Sequence, residues 1–142
     1  MTAIIATLIS CIATIVNYFI FRTNYKASEE KRFNDNLNQI LSISIQYPYL
    51  EDFNFICTWT KNRNSSDDKY LRYDTYCIYN FNFLDRLCKY YRYNRKKIEH
   101  FVHVKEIIRT HASWWIHPKN EFDNIEGYSK EFRDFINSYL EG

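Results

Sequence analysis

Apolar and polar positions divide the chain into two regimes. The 21 residues from Met1 to Phe21 carry no charge, and every charged side chain lies from Arg22 onward. As a helix rising 1.5 Å per residue, the uncharged run extends about 31 Å, close to the ~30 Å hydrocarbon thickness of a bilayer. It is expected to cross a membrane once. A cleaved signal peptide would begin with a basic region and end at a small-residue cleavage site. Here no Lys or Arg precedes the apolar run and "NYFIFR" (Asn17 to Arg22) is bulky, so an uncleaved anchor is expected.

Beyond the span, apolar residues return every three or four positions, the helical rhythm. Phe33, Leu37, Ile40, Leu41 and Ser44 predict that the membrane helix continues as a stalk, stopping just before Pro48 because proline disfavours helix in the preceding residue. Phe53, Ile56, Cys57 and Trp59 predict a short helix over Leu50 to Lys61, and "NRNSSDD" (Asn62 to Asp68) reads as a loop. Tyr70, Tyr73, Cys77, Phe81, Leu84 and Cys88 predict a helix over Lys69 to Tyr93, with "NRKK" as a break or cap. A further helix is expected over Lys96 to His117, stopped by Pro118. Ser129 reads as the N-cap of a last one bearing Phe132, Phe135, Ile136, Tyr139 and Leu140. With only two glycines and two prolines, the chain has too few turn-formers for many short strands. The expected fold is all-α: one N-terminal transmembrane helix continuing into a cytoplasmic stalk, then a small helical bundle. The corresponding segments are residues 1–22, 23–47 and 48–142.

Within the span the polar residues are not scattered. At 100° per residue, Ala3, Thr7, Ser10, Thr14 and Asn17 fall within an arc of about 80°, flanked by Ala6 and Ala13. Ile4, Ile5, Leu8, Ile9, Ile12, Ile15, Val16 and Phe19 take the other side. The 4, 3, 4, 3 spacing is the heptad rhythm of a left-handed helix bundle. A lone helix in lipid gains nothing from such a face, whereas hydroxyls and an amide hydrogen-bond across helices for roughly 0.5 to 2 kcal/mol each. Self-association follows, with two forms left open. In a dimer the stripe is a dry seam; in a ring, a tetramer being favoured, it lines a wetted axis that passes ions. The competing reading has Ser and Thr bonding the carbonyls of their own helix.

Charge sets the orientation. Arg22, Lys26, Lys31 and Arg32 follow the span and only the terminal amine precedes it, so the N-terminus is expected outside and the remainder in the cytoplasm. The anchor would then sit in the inner (plasma) membrane, in contact with lipid, with Tyr18, Phe19 and Phe21 as an aromatic collar. A formal charge of +2 implies no general affinity for nucleic acid. Of four cysteines, Cys57, Cys77 and Cys88 lie beyond the span, an odd number without a C-x-x-C pair. This speaks against a disulfide framework or zinc knuckle and for reduced, mostly buried thiols.

Four features beyond the span bear candidate chemistry. "RLCKYYRYNRKK" interleaves cations with tyrosines, a composition that tracks phosphates while stacking bases. Arg86, Lys89, Tyr90, Arg92, Tyr93, Arg95, Lys96 and Lys97 are therefore candidate contacts for a nucleotide or oligonucleotide ligand. Arg95 and His100 have the R-x4-H spacing that resembles the motif of HEPN-type ribonucleases, the basis of an alternative reading as a membrane-tethered ribonuclease. His100 and His103 with Glu99 and Glu106 lie close on one helix, but no further ligands are placed to complete a metal site. Neither a metal nor a cofactor is expected. In "ASWWIHP", adjacent Trp114 and Trp115 cannot share one helix face, which predicts one of them at a subunit interface.

The layout of one N-terminal span, a stalk ending in "QYPYLEDF", a tyrosine-rich helix, "WWIHP" and a closing "SKEFRDFINSYLEG" resembles small single-pass bacterial membrane effectors of anti-phage abortive-infection systems. Among these it is similar in layout to the transmembrane effector of the Hailong system. The resemblance implies an oligomeric ion channel gated through its cytoplasmic domain by a nucleotide-derived ligand, and no catalytic residues. A non-catalytic membrane scaffold is the remaining alternative.

Overall fold

The computed structural model describes residues 2–118 and 127–141, and all regular structure among them is helical. The elements are α1 (Thr2–Gln46), a 3-10 turn (Pro48–Glu51), α2 (Phe53–Asn62), α3 (Asp68–Tyr90), α4 (Arg95–Phe101), α5 (Val104–Thr110), α6 (Ala112–Ile116) and α7 (Lys130–Leu140). The all-α expectation holds: a long apolar N-terminal helix precedes a helical bundle. Two compact units divide the chain, Met1–Leu37 and Asn38–Gly142.

The first unit is the bulk of α1. Its side chains from Ile4 to Ser28 are all exposed, isoleucine and phenylalanine included. It is the one described helix long and apolar enough to cross a membrane, its most apolar 18 residues having a mean hydropathy of 2.2. At its first charges the aromatic side chains group together, with the Arg22 guanidinium over the Tyr18 ring at 5.8 Å and Phe21 stacked on Tyr25. Lys26–Glu30 and Arg32–Glu29 then pair along the helix surface, contributing a few tenths of a kcal/mol each.

The second unit is built around α3, which buries Tyr73, Tyr76, Cys77, Asn80, Phe81, Phe83, Leu84, Leu87 and Cys88. At 100° per residue these fall on one broad face, about 160° wide, while Leu71 and Ile78 on the opposite side are exposed. Ile40, Leu50, Ile56, Trp59, Ile98, Ile108, Phe132 and Ile136 complete the core. Each such side chain contributes about 1.5–3 kcal/mol by leaving water.

Helix ends follow local chemistry. α1 stops at Gln46 and Pro48 opens the 3-10 turn, where its missing N–H costs nothing. Asp52 then caps α2 by accepting from the Phe55 N–H at 2.8 Å, so the expected helix over Leu50 to Lys61 is instead a turn, a cap and a helix. Ser129 caps α7 through the Phe132 N–H at 3.3 Å, as its position predicts.

Other expectations need correction. α3 ends at Tyr90 rather than Tyr93, because Arg92 and Tyr93 turn into the left-handed region at φ 51° and 57°. The Tyr93 N–H there reaches back to the Cys88 carbonyl at 2.8 Å, closing the helix end. The single helix expected over Lys96 to His117 is three short ones. Val102 and Val104 are both buried, yet in a continuous helix residues two apart point about 200° away from each other. An extended Val102 (φ −148°, ψ 148°) breaks the helix so that both reach the core, and His111 makes a second corner between α5 and α6.

The same corners correct the tryptophan expectation. Trp114 and Trp115 are both buried, because the Phe81 ring stacks against both, at 5.1 and 4.9 Å between centroids. Each indole N–H is satisfied, Trp114 donating to Asp74 at 2.6 Å and Trp115 to Asn137 at 3.0 Å. Neither is left for a subunit interface.

Candidate functional sites

Helical phase puts Thr7, Ser10, Thr14 and Asn17 on one side of α1, all exposed; the Ala3 side chain lies outside the described residues. The Thr14 hydroxyl donates to the Ser10 carbonyl at 2.9 Å, so its hydrogen is used within the helix. Its oxygen still has lone pairs to offer outward. The isoleucine side is equally exposed, with Ile9 at 62% and Ile12 at 61%. Within its own unit the helix covers neither face.

The basic stretch runs from the C-terminal part of α3, through the left-handed turn, into the first turn of α4. Asn94 caps α4 through the Lys97 N–H at 3.1 Å. Several of the candidate side chains are already engaged. Lys89 pairs with Asp85 at 2.7 Å, and Arg95 donates to the Ser138 hydroxyl at 2.6 Å with its guanidinium over the Tyr139 ring. Tyr90 packs edge-on against Tyr91, and Tyr93 against Phe135, within 3.4 Å of the Ser129 hydroxyl. Arg86, Arg92, Lys96 and Lys97 are exposed and form no ion pair with the described residues. Lys96 and Lys97 stand in the first turn of a helix, where the backbone dipole is already positive. The fold therefore concentrates positive charge that has no ion-pair partner among the described residues at this turn, with the tyrosine rings half-buried.

Arg95 and His100 are five residues apart on α4, about 140° around the helix, so they do not share a face. His103, Glu99 and Glu106 line a groove of about 520 Å3 with Val102, Val104, Lys105 and Arg109. Glu99 accepts the Tyr139 hydroxyl at 2.6 Å. Among the described residues no three His, Cys, Asp or Glu converge as metal ligands. Cys77 and Cys88 are buried, and burial pushes the Cys88 thiol up to about 12, so both are protonated and inert. Cys57, like Cys11, is exposed instead of joining them.

The most developed polar cluster in the bundle is one that sequence reasoning missed. His111, 1% exposed, sits at the α5–α6 corner with its Nδ1 3.0 Å from the Tyr73 hydroxyl and its Nε2 3.5 Å from Glu51 Oε1. Tyr76 donates to the same Glu51 oxygen at 2.6 Å and packs edge-on against the imidazole. Burial opposes ionisation of Glu51, but the hydrogen bond and charge from His111, with the Tyr76 hydroxyl, outweigh it and hold the carboxyl below its ordinary range. Glu51 thus contributes stability above the usual carboxylate range, lost as pH falls through its lower folded value. Burial raises both tyrosines, so each hydroxyl remains a donor. Periodicity could not reveal this cluster. Glu51 and His111 meet only because a 3-10 turn and a helix corner form, and neither registers as a break in the hydrophobic pattern.

Compared with protein-family models, with curated proteins and with solved structures, the chain has no match.

Proposed function

We propose that the chain is a homo-oligomeric single-pass membrane protein, an ion channel or pore-forming effector gated through its cytoplasmic helical domain. The observation that carries this reading is a continuous apolar helix whose exposed surface divides into a hydroxyl-and-amide face and an isoleucine face. Lipid satisfies the isoleucines. On the other face, hydroxyl lone pairs and the Asn17 amide are served by sister copies or water better than by lipid. A ring of four suits a wetted axis, and its neutral lining implies weak selectivity by charge. The cations after the span favour the cytoplasmic side for the bundle, in the inner membrane. There Arg86, Arg92, Lys96 and Lys97 offer positive charge to a phosphate-bearing nucleotide or oligonucleotide ligand, with base stacking a smaller part because the neighbouring tyrosines are packed. A depolarising role in anti-phage abortive infection fits this architecture.

Disulfide crosslinking tests which face meets a sister copy. With Cys11 and the exposed Cys57 replaced by Ala, a cysteine introduced as Ser10→Cys is expected to crosslink efficiently in membranes, while Ile12→Cys on the opposite side is not. Crosslinking through the Ile12 position but not the Ser10 position would put the seam on the wrong face and end this reading.

A further inference from the structure

Arg72 is held in place without being neutralised. From α3 its guanidinium lies over the Tyr47 ring at 4.3 Å and donates to the Tyr49 hydroxyl at 2.7 Å. Of the five N–H donors on a guanidinium, that bond occupies one. Three residues earlier on the same helix, the Lys69 ammonium stands over the Tyr49 ring at 5.7 Å. Among the described residues neither cation has a carboxylate within ion-pair distance. Asp68 attracts Arg72 only at longer range.

The rings beneath these cations are themselves fixed. Tyr47 packs against Tyr49, Tyr49 meets Phe55 edge-on at 5.0 Å, and Phe55 stacks on Tyr70 at 5.1 Å. Tyr47, Tyr49 and Arg72 are half-buried and Lys69 is exposed, all within the second unit. A stacked, half-buried guanidinium has already given up much of its rotamer freedom, so it loses less on binding than a free surface arginine. Its planar fork matches two oxygens of a phosphate, and a lysine adds a point charge. The cluster does not rest on the helix end, where Asp67 Oδ1 already accepts the Lys69 N–H at 2.9 Å.

We propose that Lys69, Arg72 and Tyr49 form a phosphate-binding site, whose ligand is the phosphate of a small soluble ester. Tyr49 orients the guanidinium, Arg72 donates its remaining N–H groups to phosphate oxygens, and Lys69 balances the charge. Lipid headgroups are recognised by clusters of about 4–8 cations, whereas here one cation is exposed and one is recessed among rings. Tyr47 and Tyr49 follow directly on the last turn of α1, so the ligand bears on the chain where that helix ends. The site is distinct from the basic turn: Arg72 and Arg86 are 14 residues apart on α3, about 21 Å along its axis. It stands whether or not α1 lines a pore.

Isothermal titration with inorganic pyrophosphate tests it, on the full-length protein in uncharged phosphatidylcholine nanodiscs at low salt. The basic turn is neutralised in the same sample by Arg86→Gln, Arg92→Gln, Lys96→Gln and Lys97→Gln, all at exposed positions. In this background binding is expected to persist and to weaken about tenfold in Lys69→Gln or Arg72→Gln, the loss of one charge-assisted contact. Asp68→Asn, which removes the competing charge, should tighten it about twofold. Absence of binding in the four-glutamine background overturns the site, as does binding there that Lys69→Gln leaves unchanged. If pyrophosphate binds the unmodified protein and is lost with those four substitutions, the basic turn is the ligand site and only this inference falls. Nanodiscs that ignore pyrophosphate but co-float with phosphatidylglycerol vesicles through Lys69 would assign the site to a headgroup and overturn the soluble ligand. Because Lys69 is exposed, none of these outcomes depends on Arg72→Gln folding.

Discussion

Replacing Thr14 and Asn17 together by Leu is expected to lower ion flux through the membrane at least tenfold. In a ring these two positions form successive polar girdles, and leucine turns them into a hydrophobic constriction that sheds water. The substitution makes the span more apolar, so insertion is favoured and a loss of flux cannot be assigned to a missing anchor. Thr14 donates to the Ser10 carbonyl within its own helix, and losing that bond alone would disturb the helix little. The matched control is Ile9→Leu with Ile12→Leu on the lipid side, expected to leave flux unchanged. Membrane depolarisation on overexpression and ion efflux from proteoliposomes of equal protein content are the readouts. Undiminished flux in the Thr14/Asn17 double variant contradicts the pore.

The second large effect concerns the bundle. Phe81→Ala is expected to cost about 3–5 kcal/mol, the range for truncating a fully buried phenylalanine. The Phe81 ring lies between α3 and the two indoles of α6, so its loss opens a cavity against Trp114 and Trp115 at once. The indole hydrogen bonds to Asp74 and Asn137 limit how far those rings can move to fill it. A domain of this size has about 5–15 kcal/mol in total, so most of its stability would go. Leu71→Ala, at a side chain 65% exposed, should change stability by no more than about 0.5 kcal/mol. Denaturant unfolding followed by tryptophan fluorescence measures both. A Phe81→Ala cost below about 1 kcal/mol would mean that the α3–α6 packing described above is wrong.

The readable part of this fold is the part written in period. The long apolar N-terminal helix, its continuation to Gln46, the buried face of α3 and the Ser129 cap all follow from apolar spacing or from a single capping side chain. The misread parts are corners. Nothing in "FVHVKEIIRTHASWWIHP" contains glycine or an interior proline, so the breaks at Val102 and His111 leave no local mark. They arise because Val102 and Val104 both need the core, a demand set by the neighbouring helices. Arg92 and Tyr93 adopt the left-handed conformation without the glycine that would announce it. The candidate sites divide in the same way. The polar stripe is a one-dimensional pattern and was legible, whereas the Glu51–His111–Tyr73–Tyr76 cluster joins residues as far as 60 positions apart. The basic stretch was legible as composition; which cations remain exposed, and that its tyrosines are half-buried, required the packing.

The most direct measurement of the central claim is the number of copies that assemble in lipid. Full-length protein carrying one fluorophore per chain, reconstituted at low density and counted by stepwise photobleaching, should show three or more steps per particle, with four the commonest. Single-step bleaching throughout would mean that the Thr7–Asn17 face meets lipid alone, and the channel reading would fall with it.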